Sequence, residues 1–163
     1  MREILEIARC LTELSTEAPA PRTWLATVVA IEGSAYRRPG ARLLFSREGR
    51  LAGGISGGCL ESEVMRTGEW LAQRGPILRT FDAIRDDDVP ALRSGCNGKV
   101  EVLIQEVTPA VQRTLQQVAS ELARQCPVTL TTLLPSGEQL LQTEHDPAPS
   151  AAGRAFVEQL EPA

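Results

Sequence analysis

The run Gly53-Gly54-Ile55-Ser56-Gly57-Gly58-Cys59-Leu60-Glu61 gathers residue types suited to holding an anion. Four glycines let backbone N–H groups face a cavity with no Cβ in the way, and a helix starting after them adds the positive end of its dipole. Together these make a seat for phosphate or another oxyanion. The competing account is a tight strand-to-helix turn in which glycine only permits close packing. Cys59 falls in the first helical turn, where the dipole favours thiolate over thiol and so a nucleophile or metal ligand. Glu61 and Glu63 oppose a second anion there, and a small buried cysteine is the plainer alternative. Cys96 sits in a second glycine-bracketed loop, Ser94-Gly95-Cys96-Asn97-Gly98. Cys10, on the edge of an apolar helical face, and Cys126, before Pro127, read as structural.

Arg37, Arg38 and Arg42 form the dense basic cluster. Guanidinium groups bind phosphate bidentately with permanent charge, although loop arginines are commonly solvated or salt-bridged. Asp86, Asp87 and Asp88 read as a solvated loop rather than a magnesium site. His145, the one histidine, lies in a polar, proline-rich stretch without a partner, which removes support for a histidine triad.

Periodicity supplies the elements that must position these groups. Ile4, Ile7, Leu11 and Leu14 predict an amphipathic helix over residues 2–17, stopped by Pro19 and Pro21. The apolar, β-branched run Trp24–Ile31 predicts a strand buried on both faces. Residues 41–46 and 50–55 predict two strands joined at Glu48-Gly49, the second running into the glycine loop. A helix follows from Cys59 to Arg74, then a strand over 77–82, the acidic stretch, and a strand through Val100, Val102 and Ile104. Residues 109–125 have helical spacing, with Pro109 in the first turn. A hairpin over 128–134 and 139–143 comes next. Residues 146–163 read as linker and short C-terminal helix, closing an α+β domain of residues 1–145 with a mixed β-sheet flanked by helices.

The chain has 163 residues, 42% hydrophobic and 23% charged, as in folded globular proteins. Its formal net charge of -4 argues against a general nucleic-acid or anionic-membrane binder. With no apolar run long enough for a membrane helix and no signal-peptide core, the expectation is a cytoplasmic protein. Four cysteines without a CxxC pair suggest neither a disulfide framework nor a zinc ribbon.

Taken in order, EGSAYRRPGARLLF, GGISGGCLE and SGCNGKVEVLIQE make residues 24–106 resemble the N-terminal domain of the XdhC/CoxI family of xanthine dehydrogenase accessory proteins. Two positions depart from the family pattern: Tyr36 stands where proline is expected, and Asn97 where glycine is common. The resemblance implies a chaperone more than a catalyst. It implies binding of molybdenum cofactor (molybdopterin) as cargo, protection while its terminal sulfur ligand is installed, and insertion into an apo-molybdoenzyme of the xanthine dehydrogenase type. Motif matches and ligand chemistry together give as candidate cofactor-binding residues Arg37, Arg38, Arg42, Gly54, Ser56, Gly57, Gly58, Cys59, Glu61, Gly95, Cys96 and Gly98, with Cys59 and Cys96 expected to approach the metal. Phosphate, pterin and dithiolene-bound metal match a glycine loop, arginines and a soft thiolate. A cysteine desulfurase and a second copy of the chain are further partners to consider. Longer family members continue into a Rossmann domain, and nothing after Val107 shows a strand followed by GxGxxG. Two other functions stay open: a cysteine-dependent sulfur or nucleotide transferase acting on the cofactor, and a pure protein-interaction module.

Overall fold

The computed structural model describes residues 2–35, 37–82, 98–143 and 153–162. Helix α1 (Arg2–Leu14) turns Ile4, Ile7 and Leu11 inward, as their spacing requires. It ends earlier than expected because the Ser15 and Thr16 hydroxyls bond back to the carbonyls of Leu11 and Glu13. Strand β1 (Trp24–Gly33) leads to the hairpin β2 (Arg42–Ser46) and β3 (Gly49–Gly53). Helix α2 (Cys59–Leu71) closes in a short 3-10 turn, followed by β4 (Ile77–Asp82) and β5 (Gly98–Glu106). Helix α3 (Pro109–Ala123) starts where the Thr108 side chain accepts from the Val111 N–H at 3.3 Å, with Pro109 in its first turn. Strands β6 (Val128–Leu133), β7 (Gln139–Thr143) and β8 (Ala155–Leu160) complete the described chain.

The α+β class is as expected, but the strands form two sheets rather than one mixed sheet. One has the order β3-β2-β1-β5-β4 and the other β7-β6-β8, and every pairing is antiparallel. No described pair is parallel, so none needs the right-handed crossover that parallel strands require.

Period-two alternation sorts the apolar side chains into two cores, one on each face of the five-stranded sheet. Trp24, Ala26, Val28, Leu43, Phe45, Val102 and Ile104 pack with Leu60 and Val64 of α2. Their neighbours Leu25 and Leu44 pack on the other face with Ile4, Ile7 and Leu11 of α1, Leu115 and Val118 of α3, and Leu130 of the second sheet. Burial of each such side chain contributes on the order of 1.5–3 kcal/mol. The sheet is thus covered on both faces, and α2 holds its own N-terminus, beside β3, at the edge of the first core.

The expected C-terminal helix is corrected. Residues 155–160 pair with β6 from Leu133↔Ala155 to Val128↔Leu160, burying Leu160. Six residues gain more from completing a ladder than from an isolated helix too short to nucleate. Gly98, expected in a loop, is the first residue of β5 opposite Gly33. Asp86–Asp88, Gly95, Cys96, His145 and Tyr36 lie outside the described residues, as does nearly all of the expected linker.

Candidate functional site

The junction between β3 and α2 is a ring of donors closed around one side chain. Glu61 Oε1 accepts from the N–H groups of Ile55 at 2.9 Å and Ser56 at 2.6 Å, and Oε2 accepts from Gly58 N–H at 3.0 Å. The Ser56 hydroxyl donates to Oε2 while accepting from the N–H groups of Gly58 and Leu60, at 3.1 and 3.2 Å. The segment folds this way because Gly58, at φ 126°, takes a backbone conformation closed to other residues, while Glu61 three positions on reaches back as the second half of a capping box. Burial pushes the Glu61 carboxyl pKa up. The Ser56 hydroxyl and the N–H groups of Ser56, Glu61 and Ile55 more than offset that, leaving it below the usual value and the group ionised.

The inner amides of the glycine loop thus hold the chain's own carboxylate and not an outside anion. The outer corner differs. Gly57 and Gly58 are exposed, and a Cβ at Gly58 would meet nothing within 4 Å. Cys59 is the first residue of α2, as expected, so its backbone stands at the positive end of the helix dipole.

The three arginines part company. Arg37 leans toward the glycine loop: a Cβ on Gly54 would lie 3.7 Å from its Nη2 and 3.4 Å from Glu61 Oε1. Its Nη1 is held by Glu3 at 2.8 Å, and the same carboxylate accepts from the Arg42 N–H at 3.2 Å. Arg38 is exposed and has no ion-pair partner among the described residues. Arg42 is 2% exposed, and its guanidinium grips Glu158 of β8 through both Nη atoms while Nη1 also donates to the Gly40 carbonyl at 2.8 Å. That charge is consumed within the fold, so Arg42 ties β8 to β2 and is not available to a ligand. Gly40 serves the same contact, since a Cβ there would fall 2.6 Å from Glu158 Oε1.

Gly98 is likewise structural: a Cβ would lie 2.9 Å from the Ser34 N and O atoms, so the glycine permits β5 to approach the end of β1. Arg37, Gly54, Ser56, Gly57, Gly58, Glu61 and the Cys59 backbone are brought together; Arg38 faces a neighbouring groove and Arg42 lies beneath it. Among the described residues no three His, Cys, Asp or Glu side chains cluster as metal ligands. Cys10 is half-buried against the second core, and burial, with Glu13 and Glu6 nearby, raises its thiol pKa, as suits a structural cysteine. Cys126 is exposed instead of packed. Sequence reasoning missed Glu3 and Glu158, for which no local signal exists, because their arginine partners are far away along the chain.

Residues 18–82 match the family model described as the XdhC and CoxI family, a span holding the arginine segment and the whole glycine junction. Over this span the chain belongs to that family. A protein of Bacillus subtilis (strain 168), named as a probable subunit of xanthine dehydrogenase, is 36% identical over 123 residues, 74% of this chain and 37% of the relative. A solved structure from Bacillus halodurans, described as a xanthine dehydrogenase, superposes with a TM-score of 0.75 at 26% identity, covering 98% of this chain and 53% of that one. The chain thus spans well under two thirds of either relative. The family match includes Arg37, Arg38, Arg42 and Gly54–Glu61 and ends before Gly95, Cys96 and Gly98. No described helix is long and apolar enough to cross a membrane.

Proposed function

We propose that the chain is a xanthine dehydrogenase accessory module that carries molybdenum cofactor as cargo, shields it, and assists its insertion into an apo-molybdoenzyme of the xanthine dehydrogenase type. The observation that carries this reading is the open outer corner of the junction, in a segment that matches the family. There the Gly57 and Cys59 N–H groups, the start of α2 and the neighbouring Arg37 combine neutral donors, a dipole and a cation, the set that holds a phosphate or oxo group. Cys59, on the same turn, is the soft donor suited to molybdenum or its sulfur ligand. Glu61 makes the corner rigid, since its carboxylate fixes the amides from behind.

The test is anaerobic purification after co-expression with an active cofactor pathway, followed by molybdenum and pterin analysis. The wild type is expected to carry both, and Cys59→Ala and Arg37→Ala to lose at least tenfold at unchanged circular dichroism. Equal loading of the wild type, Cys59→Ala, Cys96→Ala and Arg37→Ala would remove the assignment.

One observation favours a second reading. Because Glu61 already fills the inner amides, the loop is also suited to be a preformed surface read directly by the client enzyme. Protein that binds the apo-enzyme yet holds neither molybdenum nor pterin selects that alternative.

A further inference from the structure

Among the described residues strand β8 is the outer strand of its sheet, and the edge it leaves unpaired there borders a groove of about 690 Å3. The register shows which groups face outward. Leu134 N–H donates to the Arg154 carbonyl at 2.8 Å, one step along the ladder in which Thr132↔Phe156, Leu130↔Glu158 and Val128↔Leu160 are paired. On the other side of β6, Leu133 exchanges its bonds with the opposite strand through Glu138 and Gly137. In an antiparallel sheet alternate residues of a strand bond to alternate sides. Residues 154, 156, 158 and 160 therefore bond to β6, and the N–H and C=O groups of Ala155, Val157 and Gln159 point away from the sheet. The groove is lined by every residue from Phe156 to Leu160. Since consecutive strand residues alternate between faces, a cavity touching all five runs along the edge and not over a face.

The opposite wall is the Arg37–Arg42 segment, with Glu3 of α1 at one end. Three guanidiniums meet two carboxylates there. Glu3 compensates Arg37 and Glu158 compensates Arg42, so among the described residues Arg38 is an exposed cation without a counter-charge, in a chain whose net charge is -4. Val157, 56% exposed, offers the one large apolar surface at the strand's centre. An unpaired strand edge of this kind is a template for another strand, and the groove has the size of a ligand cleft.

We infer that this groove binds an extended acidic segment of a partner protein, which adds to β8 as a fourth strand and sets a carboxylate against Arg38. Backbone pairing with Ala155, Val157 and Gln159 supplies affinity, and the cation selects acidic over basic segments. The inference is independent of the cargo reading, which rests on Arg37, Cys59 and the glycine corner.

The probe is a fluorescein-labelled acetyl-Thr-Val-Glu-Val-Asp-Val-Thr amide, titrated with the full chain by fluorescence anisotropy at low salt. A version N-methylated at alternate residues and one with both acids replaced by Lys serve as controls. The expected result is saturable binding that falls at least tenfold for either control peptide and for Arg38→Glu. Val157→Pro is expected to abolish it while leaving the fold intact, because that N–H makes no ladder bond and proline is tolerated at such an edge position. Amide resonances of Ala155, Val157 and Gln159 are expected to shift on titration. Binding unaffected by N-methylation or by Val157→Pro, or no binding at millimolar protein, would overturn the proposal. So would self-association that Val157→Pro abolishes, since a second copy would then own the edge. None of these outcomes alters cofactor loading, so the two readings fail separately.

Discussion

Glu61 and Glu158 both occupy positions that would otherwise attract an anion, and they are built in opposite ways. Glu61 is held by backbone amides and a hydroxyl between three and six residues away. Glu158 reaches Arg42 across 116 residues and is the only contact of its kind between β8 and β2 among the described residues. The first carboxylate closes a local turn with neutral dipoles. The second neutralises a buried charge that the rest of the fold has already committed. A turn can satisfy itself, whereas a buried guanidinium needs a partner delivered by tertiary structure. The contrast also separates the two surfaces nearby: the glycine corner is exposed on its outside, and in the groove beside β8 Glu158 faces Arg42, with Arg38 unpaired among the described residues.

The largest expected effect comes from breaking the distant pair. Glu158→Ala leaves Arg42 buried without a counter-charge and should cost about 3–5 kcal/mol in urea unfolding, whereas Arg42→Met with Glu158→Leu should recover most of it. A single-variant loss well below that would put the two carboxylates on the same footing. Glu61→Ala strands the inner amides and should cost about 3 kcal/mol, together with disorder confined to residues 53–60 in hydrogen exchange.

Acidity sharpens the same comparison. The folded pKa of Glu61 is depressed, so its contribution is fully present above the unfolded carboxyl value near 4.3 and is lost as pH falls through the lower folded value. The acid limb of stability in Glu61→Gln should be correspondingly flatter than that of the wild type, and identical limbs would exclude an ionised Glu61. Gly53→Ala, at φ 73° and with its Cβ well inside contact distance of the Arg42 carbonyl oxygen, should cost about 2 kcal/mol. Arg47→Ala removes an exposed pair with Glu69 and should leave the unfolding midpoint where it was.

Much of this was legible beforehand. The α+β class, the start of α2 at Cys59 and the hairpin β6–β7 follow from periodicity and punctuation by Gly and Pro. Gly58 and Glu61, three apart before an apolar helical run, carry the spacing of a capping box, so the filling of the inner amides had a signal that was there to be read. The role of Arg42 had none. On the chain it is one of a cluster of three arginines, indistinguishable in type from Arg37 and Arg38, and only the arrival of Glu158 from β8 makes it structural. The last strand was missed because Ala155–Leu160 is too short for either period to dominate, and its partner β6 settles the matter.

By itself, then, the sequence determined the features that close within a few residues: the amphipathic faces, the glycine turn and the carboxylate that caps it. Tertiary structure alone decided, among the described residues, which arginine is buried, which is held by Glu3 and which has no ion-pair partner, and that β8 has an open edge. The reason is physical: a hydrogen bond within a turn depends on local dihedral angles, whereas a buried charge or a strand edge acquires its meaning from whatever distant segment the fold brings beside it.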